Sequence, residues 1–173
     1  EAAYARLMTP AIKFLICKSV PGFVYESLEC LGGNGYTEDL PLARYYREAP
    51  LNAIWEGSGN VMALDVLRAA GRQRDATMET VERAIRSASR AYDCGPLAHT
   101  LLRVIQSGEA ERRARFVCET LARLGAVAAL VEADSPFAAD YARTRLDAAH
   151  ANYGFSDIAM AAETKLMDRA RAA

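Results

Sequence analysis

Apolar residues recur at steps of three and four along most of this chain, and no stretch alternates with polar residues long enough to make a strand. The pattern predicts an all-α fold, a helical bundle. Residues 1–8 read as the end of one helix. Thr9-Pro10 suits the start of the next, with Thr as N-cap and Pro at the first helical position. That helix should run to about Leu31 and stop at Gly32-Gly33, where a left-handed cap costs glycine little. Pro21-Gly22 falls inside it and predicts a kink or a short break. Pro41 opens a short helix that ends before Pro50. A further helix, from about Ser58 to Ala70, is apolar on nearly every side except at Asp65 and Arg68, so it should be covered on most sides.

Gly71-Arg72-Gln73-Arg74-Asp75 is the best candidate boundary. Beyond it the seams become regular. Met78, Val81, Ile85, Ala88 and Tyr92 form one, and Ala110, Ala114, Val117, Leu121, Leu124, Ala128 and Val131 another. Gly95-Pro96 marks a turn, Leu97, Leu101 and Val104 give a shorter amphipathic helix, Ser135-Pro136 starts another, and the last helix covers about 157–170. This divides the chain into residues 1–71 and an appended helical domain, 72–173. Residues 77–150 are expected to form a bundle of their own, whereas Val61, Leu64 and Leu67 in the first part need cover from a second chain. Helical periodicity is already running at Glu1, so the chain is expected to be part of a longer polypeptide.

The formal net charge of −1 offers no global field for nucleic acid or anionic membrane. Cys17, Cys30, Cys94 and Cys118 are too scattered for a zinc knuckle or a redox pair, and are expected to be reduced and mostly buried in a cytoplasmic protein. His99 and His150 have no acidic or Cys partner at ligand spacing, so no metal site is assigned. No apolar run of about 20 residues that could span a bilayer is apparent, and no membrane role is expected.

The chemistry concentrates in Ile54-Trp55-Glu56-Gly57-Ser58-Gly59-Asn60. It sets one carboxylate beside an indole on a glycine-flexed turn before a helix. Taken alone, Glu56 there could simply compensate the helix dipole, and Ser58 and Asn60 could simply be N-caps. Earlier stands a second glycine cluster, Leu31-Gly32-Gly33-Asn34-Gly35-Tyr36, with Arg44-Tyr45-Tyr46-Arg47-Glu48-Ala49-Pro50 between the two. In this order and spacing the elements resemble the C-terminal flavin-binding segment of the acyl-CoA dehydrogenases, and among them the AidB-type branch of bacterial adaptive-response flavoproteins. The likeness is close over about residues 9–70 and loose over 71–173.

The resemblance implies a C-terminal acyl-CoA dehydrogenase bundle that uses FAD, acts on an acyl-CoA-type substrate and assembles as a homo-oligomer. Glu56 takes the position of the base that removes the proton alpha to the thioester carbonyl, and Trp55 that of the aromatic residue beside the flavin. Ser58 and Asn60 take positions that contact the flavin nucleotide, with N-capping left open as their role. Gly32 and Gly33 match the pair whose bare backbone approaches the ADP part of a neighbouring subunit's flavin, and they would end a helix in any case. The family usually carries Gln where this chain has Glu29, which would repel a diphosphate unless paired or turned away. Arg44 and Arg47 suit a solvated or ion-paired helix face. Some branches place the base on an earlier helix, and the isolated segment is expected to be inactive. The rival role implied by the AidB-type likeness is a double-stranded-DNA-binding protective flavoprotein with little dehydrogenase activity. Its contacts would come from Arg112, Arg113 and Arg115, the densest basic cluster, which by itself suits a solvated helix face better. A third role is an oligomerisation module.

Overall fold

The computed structural model describes residues 2–72, 74–108, 110–146 and 160–172. It is an all-α bundle. α1 spans Ala2–Cys30, α2 Gly33–Tyr36 and α3 Leu42–Glu48. A 3-10 turn, Ala49–Ala53, leads to α4, Gly59–Arg72. Then come α5, Arg74–Ala88; α6, Gly95–Gln106; α7, Ala114–Glu132; α8, Ala138–Leu146; and α9, Met160–Arg171. The expected last helix begins within residues outside the described ones, as does His150. No strand occurs among the described residues.

α1 corrects the expected start at Thr9. Residues 2–30 are one helix with Pro10 and Pro21 inside it. Thr9 is no cap: its hydroxyl donates back to the Ala5 carbonyl at 2.8 Å. A proline deletes one N–H and crowds the carbonyl four residues back. Tertiary packing outweighs that cost here, because Pro10 lies buried among Leu7, Met8, Ala11 and Phe14. By length and composition α1 is also apolar enough to cross a membrane, which corrects the expectation that no such run exists. The core helix of a bundle meets the same description, and the residues of α1 just named are packed inside this one.

α7 is the central strut. Val117, Cys118, Leu121, Leu124 and Val127 are at most 2% exposed, and α1, α4, α5 and α8 all pack on it. Each such aliphatic side chain contributes on the order of 1.5–3 kcal/mol by leaving water. Gly125 leaves room for the Met8 side chain of α1, since a side-chain carbon there would lie 2.2 Å from the Met8 methyl. One hydrophobic cluster therefore runs from Leu7 and Phe14 on α1, through Val66 on α4 and Val81 on α5, to Ala142 on α8. It crosses the Arg72/Arg74 junction without a break. Leu64 and Leu67 pack half-buried against this cluster of their own chain, whereas Val61 stays 45% exposed.

A bidentate pair fastens α1 to α4. Arg6 donates to both carboxylate oxygens of Asp65, each at 2.7 Å. The hydrogen bonds from Arg6, chiefly, hold the Asp65 carboxyl below its ordinary value. A carboxyl depressed in the folded state stabilises the fold above its unfolded pKa, near 3.9. That stabilisation is lost as pH falls through the lower, folded value. Asp65→Asn should therefore melt slightly below the parent at pH 7, and the gap should close as the medium is acidified below about pH 4. Thermal melts of both proteins across pH 2–7 measure this, and a gap independent of pH would remove the pair from the stability of the fold.

The thiols differ more than expected. Cys94 and Cys118 are buried, but Cys17 is half-buried and Cys30 exposed, which corrects the expectation of mostly buried cysteines. Burial pushes the Cys118 thiol up to about 12 and raises that of Cys94. All four are free.

Candidate functional site

The Trp55-Glu56-Gly57 turn lies between the 3-10 turn and α4. Glu56 has φ +53° and Gly57 φ +106°. The left-handed region disfavours a residue with a Cβ by roughly 1–2 kcal/mol, so Glu56 keeps this conformation only because its surroundings impose it. The Trp55 indole is 56% exposed, and Glu56 is exposed beside it.

α1 supplies the floor of the turn. The Lys13 ammonium donates to the carbonyls of Trp55 at 2.7 Å, Glu56 at 3.0 Å and Gly57 at 3.0 Å. Gly59 rests on the same helix: a side-chain carbon there would lie 2.8 Å from Lys18 Cε and 3.4 Å from the Phe14 ring. A carbon on Gly57 would lie 2.3 Å from the Met62 methyl. Gly59 thus lets the start of α4 sit directly on α1, whereas Gly57 leaves room for Met62 of α4. No feature of the motif itself announces Lys13. The available signal was rarity, since Lys13, Lys18 and Lys165 are the only lysines in a chain rich in arginine.

Ser58 occupies the N-cap position of α4, because its carbonyl accepts from the Met62 N–H at 2.9 Å. Asn60 is exposed in the first turn and lines a depression with Ala63, Leu64, Glu111, Arg112, Ala114 and Arg115. A helix N-terminus with open approach suits an anion.

The other glycine cluster closes α1. Gly32 has φ +55°, and its N–H donates to the Glu29 carbonyl at 3.1 Å. A side-chain carbon on Gly32 or Gly33 would meet nothing within 4 Å, so their backbone faces open space. On Gly35 it would lie 2.4 Å from the Leu28 carbonyl oxygen, which makes Gly35 the position where glycine is sterically required. The stretch of α1 from Lys13 to Cys30, just before Gly32, corresponds to roughly 25 Å at 1.5 Å per residue. One chain therefore does not bring Gly32 and Gly33 to the Glu56 turn.

Glu29 accepts a hydrogen bond from the Tyr25 hydroxyl at 3.2 Å, and this interaction raises the Tyr25 pKa. Arg44 pairs with Glu48 at 2.8 Å, and Arg47 with both oxygens of Glu38 at 2.6 and 3.1 Å. Arg112, Arg113 and Arg115 are all exposed around the start of α7. Arg112 and Arg115 line the depression beside Asn60, and Arg115 also lies 5.7 Å from the Phe14 ring centre. Arg113 turns instead onto Phe116, 4.6 Å from its ring centre, and Phe116 lines a different depression, near Leu97. Among the described residues no group of His, Cys, Asp and Glu could hold a metal ion.

Residues 1–71 match the model of the acyl-CoA dehydrogenase C-terminal domain. AidB of Escherichia coli (strain K12), named as an acyl-CoA dehydrogenase, is 60% identical over 73 residues, which are 42% of this chain and 14% of that protein. Acyl-CoA dehydrogenase family member 11 of Caenorhabditis elegans is 47% identical over 68 residues, 39% of this chain and 11% of its own. A broad-specificity linear acyl-CoA dehydrogenase of Mycobacterium tuberculosis (strain ATCC 25618 / H37Rv) is 34% identical over 59 residues, 34% of this chain and 10% of its own. The chain thus spans only about a seventh or less of the relatives it matches.

Proposed function

We propose that residues 1–71 carry the base-bearing turn of an FAD-dependent acyl-CoA dehydrogenase-like oxidoreductase, and that residues 72–173 are a helical addition whose α5 and α7 pack back onto it. The observation that carries this reading is the Trp55-Glu56-Gly57 turn: a carboxylate held in left-handed backbone conformation beside an exposed indole, at the head of a helix. The family relationship of this segment gives that geometry its chemistry.

Glu56 removes the proton alpha to the thioester carbonyl. A carboxylate does this efficiently only where water is kept out, because burial raises its pKa toward the working range. Glu56 is exposed on this chain, so the acyl-CoA and the surfaces that cover the turn must exclude the water. Bound FAD would supply the acceptor for the beta hydrogen, taken as hydride. The residues present fit it: the Trp55 ring offers a flat apolar face, the α4 N-terminus can receive phosphate, and the Gly32-Gly33 backbone is open to close approach. Because Gly32-Gly33 and the turn are far apart on one chain, we assign them to flavin sites completed by another copy. Exposed Ile12, Ile16 and Phe23 on α1 give such copies an apolar surface to bury. A cytoplasmic location accords with this reading.

The alternative, a DNA-binding protective flavoprotein, rests on Arg112, Arg113 and Arg115. Arg112 and Arg115 line one depression while Arg113 lies over the Phe116 ring, so the three do not converge on one patch, which favours the enzyme reading. The test is anaerobic addition of a straight-chain acyl-CoA to the complete flavin-loaded polypeptide. Bleaching of the oxidised flavin band is expected. A band unchanged by short, medium and long acyl chains would overturn the assignment.

A further inference from the structure

We propose that Lys13 is the positioning residue of the Glu56 turn, setting the direction of the base through three hydrogen bonds to consecutive carbonyls. The inference rests on the assignment of Glu56 as the base. Three carbonyls in succession, those of Trp55, Glu56 and Gly57, converge on one point because φ is positive at both Glu56 and Gly57. Carbonyl oxygens gathered this way repel one another. An ammonium carries three donors and no acceptor, and its charge offsets the three partial negative charges. No other side chain matches this demand. Arginine carries its donors in a planar fork suited to paired oxygens, and an amide offers only two donors with an acceptor beside them.

The clamp is anchored where it cannot drift. Lys13 leaves α1 next to buried Phe14, whose ring supports Gly59 one step further along the motif. The turn has little else of its own to hold it. The Ile54 and Trp55 N–H groups both donate to the Leu51 carbonyl, at 2.9 and 3.1 Å, and the next backbone bond is that from Met62 to Ser58 at 2.9 Å. Glu56 therefore sits in the span between two hydrogen-bonded pieces, with its carbonyl tied to Lys13. Loss of the ammonium lets Glu56 relax toward negative φ, and that rotation carries the carboxylate away from the direction its strained backbone imposes.

The experiment compares Lys13→Met, Lys13→Arg and Glu56→Gln with the parent, in the complete polypeptide. The first readout needs no activity: hydrogen exchange at the amides of Ile54 and Trp55, with the amides of α7 as reference. Lys13→Met should speed exchange at the turn by about tenfold or more while α7 stays protected. The second readout is the rate of flavin reduction at saturating straight-chain acyl-CoA under anaerobic conditions. It should fall by roughly 100-fold, the scale expected when a reacting group is misplaced by about 1 Å. The acyl-CoA concentration giving half-maximal rate should change little. Lys13→Arg keeps the charge and should fall between the two proteins in both readouts. Unchanged exchange at the turn would overturn the proposal. So would general loss of protection with release of flavin in both Lys13 variants, because Lys13 would then serve folding alone. Faster exchange with an unaltered reduction rate would also overturn it. The base assignment fails separately, if Glu56→Gln reduces its flavin as fast as the parent.

Discussion

Glu56→Gln, made in the complete polypeptide, should lower acyl-CoA-dependent flavin reduction by about 10²–10⁴-fold, the range a positioned general base supplies. FAD should stay bound. Gln is nearly isosteric with Glu, and the Glu56 side chain is exposed on the surface of the turn, where the substitution opens no cavity. The backbone that holds the position is bound through its carbonyl, which Gln keeps. The measurement is anaerobic stopped-flow reduction at saturating substrate, with the flavin absorbance before mixing as the control for occupancy. Retained reduction at the parent rate would place the base elsewhere, most simply on an earlier helix.

Leu124→Ala should destabilise the whole bundle by about 2–5 kcal/mol, as expected for a buried leucine whose neighbours cannot close the hole. Leu124 is fully buried on α7, within the same cluster as Leu7 and Phe14 of α1 and Val66 of α4. The expected fall in melting temperature is roughly 5–20 °C for a domain of this size. Its form is as informative as its size. A single transition followed by far-UV circular dichroism, shifted equally by Leu7→Ala and Leu124→Ala, means that both sides of the Arg72/Arg74 junction unfold together. Two transitions, with only the later one responding to Leu124→Ala, would make residues 72–173 a separately folding unit.

The family match ends at that junction, but the core does not. Residues 1–71 carry the family match and the turn, yet α1 and α4 bury much of their apolar surface on α7, from the other side of the junction. The Asn60 depression is likewise lined from both sides, with Arg112 and Arg115 contributed by the added part.

Helix periodicity, the paired glycine clusters and the Trp55-Glu56 element were legible in the sequence. They depend on short-range rules: 3.6-residue spacing, the cost of a Cβ at positive φ, and the preference of certain residues for helix ends. The seam Ala114, Val117, Leu121, Leu124, Ala128 and Val131 was readable for the same reason and is buried, whereas Ala110, expected on it, lies half-buried in the turn before α7. Only the tertiary structure decided the rest. Thr9-Pro10 has the local signature of a helix start, but burial of Pro10 against the bundle carries the helix through it. Arg6 and Asp65 lie 59 residues apart in sequence, and Lys13 lies 42 residues before Trp55, so no local pattern could pair them. Asp65 read as an isolated polar stripe until α1 came to lie beside α4. Glu56 was marked by its neighbours in sequence, but the strain at its backbone and the ammonium beneath it exist only because α1 passes under the turn.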